Sequence, residues 1–122
     1  MAWGGSRPKR KRLELHLDID DRDHADLERL RDRTTHTSTY WFHIGLRRAI
    51  NHYKHKLRTT AHVSTRTFTV RIDAELWQRA RDVCNTRGVP PWQLTKKAIR
   101  EALRVANDQG FDVASAANNS AS

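Results

Sequence analysis

Hydrogen-bonding side chains recur at every second position in two short stretches of this chain. In one, Thr67, Thr69 and Arg71 alternate with Phe68, Val70 and Ile72; in the other, Glu14, His16 and Asp18 alternate with Leu13, Leu15, Leu17 and Ile19. Arginine offers a rigid fork of donors that can grip a two-acceptor edge. Threonine hydroxyls donate and accept, carboxylates only accept, and histidine does either. Such a row is suited to reading a polar edge; the alternative is a strand face that is simply solvated. A basic run, Arg7, Lys9, Arg10, Lys11 and Arg12, stands immediately before the first stretch. Five charges in six residues stay disordered until a polyanion neutralises them. Thr37, Ser38 and Thr39 offer hydroxyls and free N–H groups where a helix should start, which makes a natural anion site. Lys96 and Lys97 lie one turn into another predicted helix, and Arg66 stands just ahead of the second stretch.

Other chemistries find little support. Among the seven histidines, His52 and His55 share a helix face and His43 lies further up, but no cysteine or carboxylate completes a metal-ligand set. No Gly-rich phosphate loop and no serine or cysteine nucleophile motif with a histidine is present, so neither an enzyme nor a cofactor is expected. Cys84, the single cysteine, permits no internal disulfide and fits a reducing cytosol. The opening residues MAWGGSRPKRKR have no apolar core and no cleavage site, so they are not expected to act as a signal peptide. No apolar run approaches the ~18 residues needed to cross a bilayer, and no membrane partner is expected.

The 122 residues carry 23 Lys/Arg against 14 Asp/Glu, a formal charge of +9. The excess lies in residues 1–12, in 58–66 and in 67–107, while 13–57 are balanced and 108–122 are acidic. A basic protein of this size commonly meets a polyanion.

The elements that must position these groups occur twice. Sliding the chain by 53 residues lays Leu15, Leu17 and Ile19 on Phe68, Val70 and Ile72, Asp20 on Asp73, and Arg47 on Arg100. Each copy opens with a period-two stretch that reads as a half-buried strand. Each strand ends at an Asp able to cap a helix, Asp20 or Asp21 in the first copy and Asp73 in the second. The first helices show apolar stripes, Ala25, Leu27 and Leu30 in one and Leu76, Trp77, Ala80, Val83 and Cys84 in the other. Gly88 stands where a helix end favours a left-handed residue. The second helices carry Trp41, Phe42, Leu46, Ala49, Ile50, Tyr53 and Leu57, and Trp92, Leu94, Ala98, Ile99, Ala102, Leu103 and Ala106. The first is capped from Thr37, Ser38 or Thr39; the second opens at Pro90-Pro91, as proline suits a first turn. Trp41, Trp77 and Trp92 are expected in the core. The expected division is an arm (1–12), a first unit (13–57), a connector (58–66), a second unit (67–107) and a disordered tail (108–122).

Strand, helix, turn, helix in roughly 45 residues, twice, resembles the ribbon-helix-helix family of DNA-binding proteins. The second unit is similar to the Arc-type repressors over TFTVRIDAELWQRARDVCNTRGVPPWQLTKKAIREAL. The expected fold is mainly α with a short antiparallel β-ribbon, a tandem ribbon-helix-helix pseudo-dimer. The resemblance implies that the ribbon enters the major groove of double-stranded DNA and that its outward side chains read bases. The readers would be Thr67, Thr69 and Arg71, with His16, Glu14 and Asp18 opposite; the alternative for the acidic strand is a scaffold, or pairing with Arg71. The N-termini of the second helices would clamp phosphates. Pro90 and Pro91 lack N–H groups, so the second clamp is weaker, with Lys96 and Lys97 able to compensate. One branch of the family senses nickel through histidines, but surface histidines on a basic helix are the preferred reading here.

Tandem copies in one chain resemble the relaxosome accessory proteins of conjugative plasmids. The implied roles are a repressor or regulator, or an accessory factor that meets a relaxase or other DNA-processing protein, in the cytoplasm at the nucleoid or a plasmid. A second copy could bind an adjacent site. The competing readings are an antitoxin, whose tail would have only Phe111 and Val113 as anchors, and a single-strand or RNA binder, which would want aromatics on the strand face. Whether the ribbon closes within one chain or between two stays open at this level.

Overall fold

The computed structural model describes residues 11–52 and 66–113. Arg7, Lys9 and Arg10 of the basic run, Tyr53, His55 and Leu57, residues 58–65 of the connector and residues 114–122 of the tail lie outside the described residues. The chain is mainly helical with a two-stranded antiparallel sheet, in the order β1 (Arg12–Ile19), α1 (Asp21–Arg33), α2 (Ser38–Asn51), β2 (Arg66–Asp73), α3 (Ala74–Arg87) and α4 (Pro91–Asp108).

Both strands come from this one chain. They pair from Arg12 opposite Asp73 to Ile19 opposite Arg66, with His16 opposite Thr69. His16 and Thr69 are 53 residues apart, which is the spacing of the sequence repeat. The ladder is therefore centred on that pair, and Glu14 opposite Arg71 exchanges with Asp18 opposite Thr67 under the repeat. Alternation decides the faces. Ile19, Val70 and Ile72 are buried, Leu15, Leu17 and Phe68 are half-buried, and the other face is exposed. Leu13, at the open end, remains 40% exposed. Arg12, expected in the arm, belongs to β1, and Arg66, expected in the connector, opens β2.

The caps follow local chemistry. Asp20 Oδ1 accepts the Asp23 N–H at 2.8 Å and starts α1. Thr37 Oγ1 accepts the Tyr40 N–H at 3.1 Å and starts α2. Gly88 ends α3 with φ 66°, in the left-handed region where a glycine avoids the Cβ penalty. Pro91 opens α4.

The buried face of α1 differs from expectation. It is Asp23, Asp26, Leu27 and Leu30, while Ala25 is exposed. The spacing 23, 26, 27, 30 is a regular helical face, but two of its members are aspartates that are buried because cations meet them. Asp26 pairs with Arg29 on its own helix.

α2 and α4 make the most extensive helix contact. They approach at Gly45, where an added Cβ would collide with the Ala98 carbonyl oxygen and lie 3.0 Å from Ala102 Cβ. Around this crossing lie Trp41, Phe42, Leu46, Ala49, Leu94, Ile99 and Ala102, all essentially inaccessible to solvent.

Residues 109–113 correct the expected disordered tail. Val113 is buried, Phe111 packs edge-on to Trp41 at 6.0 Å, and Arg33 Nη1 donates to the Asp112 carbonyl at 3.1 Å. Trp41 offers an aromatic surface that Phe111 covers, so the chain continues to fold after α4 ends.

Candidate nucleic-acid interface

The exposed face of the ribbon presents Glu14, His16 and Asp18 beside Thr67, Thr69 and Arg71. Six neighbouring polar groups on one rigid surface follow directly from period-two alternation, as the sequence implied. Two cross-contacts organise them. His16 Nδ1 and Thr69 Oγ1 share a hydrogen bond of 3.0 Å, with the donor set by the histidine tautomer. His16 Nε2 lies 3.7 Å from Glu14 Oε2. Arg71 is directly opposite Glu14 in register, yet Glu14 leans along its own strand toward His16. Among the described residues no ion pair involves Arg71, so its guanidinium stays available to a partner.

One end of the ribbon adjoins the start of α2. A groove of about 430 Å³ there is lined by Arg12, Thr37, Thr39, Tyr40, His43, Arg47 and Asp73. Helix periodicity brings these groups together, since 39, 43 and 47 repeat every four residues. Capping uses the Tyr40 N–H, and the Trp41 N–H bonds the Thr37 carbonyl at 3.2 Å. The first-turn N–H groups of Ser38 and Thr39 are the ones this capping does not use. The Ser38 hydroxyl, expected as an anion ligand, instead donates to the Leu27 carbonyl at 3.0 Å and ties α2 to α1. With Arg12 and Arg47 alongside, an anion placed here meets two guanidinium groups and a helix N-terminus, which outnumber the Asp73 carboxylate on the same groove.

The other end adjoins the start of α4 and is chemically different. Its hollow of about 330 Å³ is lined by His16, Leu17, Asp18, Pro91, Trp92 and Thr95. Pro91 supplies no N–H, and among the described residues no arginine or lysine lines this hollow to offset Asp18. Trp92 is half-buried at this rim rather than in the core.

Lys96 also departs from expectation. It is only 6% exposed, and its ammonium donates to Asp20 Oδ2 at 2.6 Å and to Asp23 Oδ2 at 2.8 Å. It therefore holds the two halves together and is not offered to a phosphate. Burial alone would push the Lys96 ammonium down, but the hydrogen bonds it donates to Asp20 and Asp23 outweigh that and leave it above the ordinary lysine value. Asp23 is pushed up, chiefly by burial, against the pull of Lys96. The repeat counterparts of Lys96 and Asp23 are His43 and Leu76, so the α2 end lacks this neutralising cluster.

The remaining candidates are distributed as follows. Lys97 is half-buried on α4 and Lys11 is exposed ahead of β1. Arg66 is exposed but ion-paired to Asp21 at 3.0 Å. Arg47, His43 and Tyr40 are the groove residues that the sequence does not single out for this interface, whereas Arg12 is expected from the basic run. His43 Nδ1 bonds the Thr39 carbonyl at 2.8 Å. Among the described residues no group of three or more His, Cys, Asp or Glu is placed to hold a metal ion. Burial pushes the Cys84 thiol up, away from the reactive thiolate. Among the described residues no helix is long and apolar enough to cross a membrane. Comparison with protein-family models, with curated proteins and with solved structures gave no match.

Proposed function

We propose that the chain is a tandem ribbon-helix-helix pseudo-dimer that binds double-stranded DNA in a sequence-specific manner, with the outward face of the ribbon in the major groove. The observation that carries this reading is the closure of β1 on β2 within one chain, in the register that sets His16 against Thr69 and turns six polar side chains to one side. A two-stranded ribbon fits the major groove, where each base pair shows a distinct pattern of donors and acceptors. Arg71 is the guanine reader, by a bidentate contact to O6 and N7. Thr67 and Thr69 touch either base type or a thymine methyl, and Asp18 or Glu14 accepts from cytosine N4. The α2 groove clamps a phosphate through Arg12, Arg47 and the first-turn N–H groups, and the basic run before β1 lies along the backbone.

The two ends of the ribbon imply a polar binding site. The Arg71 end carries the phosphate clamp, and the Asp18 end has a proline start and an indole in its place. The preferred duplex therefore has two unlike halves, as suits an operator of a repressor or an origin bound by a plasmid-transfer accessory factor that recruits a relaxase. The antitoxin alternative loses its anchors, because Phe111 and Val113 pack against the chain's own core. A second copy on an adjacent site, and a cytoplasmic location on nucleoid or plasmid, follow from this role.

Selection of duplexes from a random pool tests the reading. A single non-palindromic consensus should emerge, with affinity falling steeply as salt rises. Arg71→Ala should then cost about 1–3 kcal/mol, roughly 5- to 150-fold, at one base position. Deleting residues 1–10 should weaken binding to every duplex and flatten the salt slope by up to about 0.9 for each cation lost from the interface. A pool that returns no consensus, or affinity flat in salt, would sink the proposal.

A further inference from the structure

The contact between α2 and α4 sets repeat-equivalent positions against each other. Gly45 meets Ala98, and Arg48 meets Glu101, each pair separated by the 53-residue spacing that also relates His16 to Thr69. At both places the two residues are unlike in the way that matters. The Ala98 backbone leaves no room for a Cβ at position 45. Arg48 Nε lies 3.6 Å from Glu101 Oε1 and is itself buried with no hydrogen-bond partner among the described residues, although the Arg48 side chain as a whole is 43% exposed. Glu101 is only 5% exposed, and its second oxygen lies 3.2 Å from Arg104 Nη1.

Like pairings fail on both counts. Two second halves brought together would set Ala98 on Ala98, where a methyl must enter space already filled by backbone. They would also bury Glu101 beside Glu101. Two first halves would set Arg48 beside Arg48 with no carboxylate near, and Gly45 on Gly45 would leave a gap that close-packed interiors do not tolerate well. A carboxylate buried beside its like, as Glu101 would be, is among the stronger forms of rejection at an interface, and the half-exposed Arg48 pair adds a weaker one.

We infer that the α2–α4 surface recognises only the unlike half: each half of the chain selects the other and rejects its own kind. The partner this surface fits is the complementary half, not the same half of a second copy. The Lys96 bridge to Asp20 and Asp23 adds to the selection, since it joins α4 of one half to the end of β1 and the start of α1 in the other. The inference stands apart from DNA binding and is tested without it.

Charge exchange in the full chain provides the experiment. Arg48→Glu places two carboxylates at the crossing, and Glu101→Arg places a second guanidinium group there beside Arg48, with Arg104 as a third close by. Each variant alone should melt on the order of 10 °C below the parent. The double variant, Arg48→Glu with Glu101→Arg, should recover most of that loss and keep the 14.2 kDa mass of one chain. The two single variants, unfolded together and refolded as an equimolar mixture, should exchange halves. The first half of one then finds the oppositely charged second half of the other. The expected product is a one-to-one species of twice the single-chain mass, melting near the parent. Native mass spectrometry and light scattering read both quantities, even if a single variant alone does not fold. Single variants as stable as the parent, a double variant no better than the singles, or a mixture that yields no mixed species would each overturn the inference.

Discussion

Gly45→Ala is expected to destabilise the protein by about 3 kcal/mol or more, near or beyond the upper end of overpacking costs. The added methyl would meet the Ala98 carbonyl oxygen and carbonyl carbon, the latter at 2.9 Å, and Ala102 Cβ at 3.0 Å. Two of these atoms are backbone in the middle of an 18-residue helix, so no side-chain rotation relieves the clash. The helices must separate, and that loosens Phe42, Leu46, Leu94 and Ile99 around the crossing. For a chain of 122 residues the loss corresponds to about 4 °C of melting temperature per kcal/mol. Gly88→Ala is the informative control. Nothing lies within 4 Å of its Cβ position, but φ is +66°, so its cost should be about 1 kcal/mol of backbone strain. Denaturant midpoints for the two variants separate a packing cost from a conformational one. Equal losses would show that α2 and α4 do not approach as described.

Lys96→Met should cost about 3–5 kcal/mol near neutral pH, because it strands the Asp23 carboxylate in the interior. Asp20 is half-exposed and can turn to solvent, whereas Asp23 is 4% exposed and cannot. The pH dependence identifies the cause. Asp23 already binds its proton more tightly folded than an ordinary aspartate does, and loss of Lys96 raises that affinity further. A folded state that binds more protons than the unfolded state gains stability as pH falls. The deficit of Lys96→Met should therefore shrink toward acid pH, through the raised titration of Asp23. In the parent the lysine acts at the other end of the scale. Its raised value means its stabilisation is complete below the unfolded lysine value of about 10.4 and is lost as pH rises through the folded one. Melting temperatures of parent and variant across pH measure both limbs. A deficit constant with pH would show that Lys96 contributes packing rather than charge.

The period-two stretches, the Asp20 and Thr37 caps, the left-handed Gly88 and the proline start of α4 were all legible in the sequence, because each depends on neighbours a few residues away. The buried face of α1 was not. Counting only apolar residues put Ala25 inward, whereas the helix turns Asp23 and Asp26 inward because Lys96 and Arg29 receive them. The role of Lys96 is hidden for the same reason: its partners come from 73 and 76 residues away. The candidate site divides likewise. Its six strand positions follow from alternation, but the groove needs Arg12 from β1 and Asp73 from β2 brought beside Thr39, His43 and Arg47 on α2. Phe111 and Val113 were lost in a stretch that is otherwise small and polar, where two apolar residues carry no periodicity.

Closure of the ribbon inside one polypeptide changes how the protein answers to dilution. A ribbon shared between two chains dissolves when copies are scarce, and its concentration falls as the square of the supply. Here the second strand is held at a high effective concentration by covalent connection. The folded form is thus present in proportion to the number of chains made, down to a single molecule. Any activity of the folded form would therefore be linear in the number of chains at low dose, without the threshold that obligate pairing imposes.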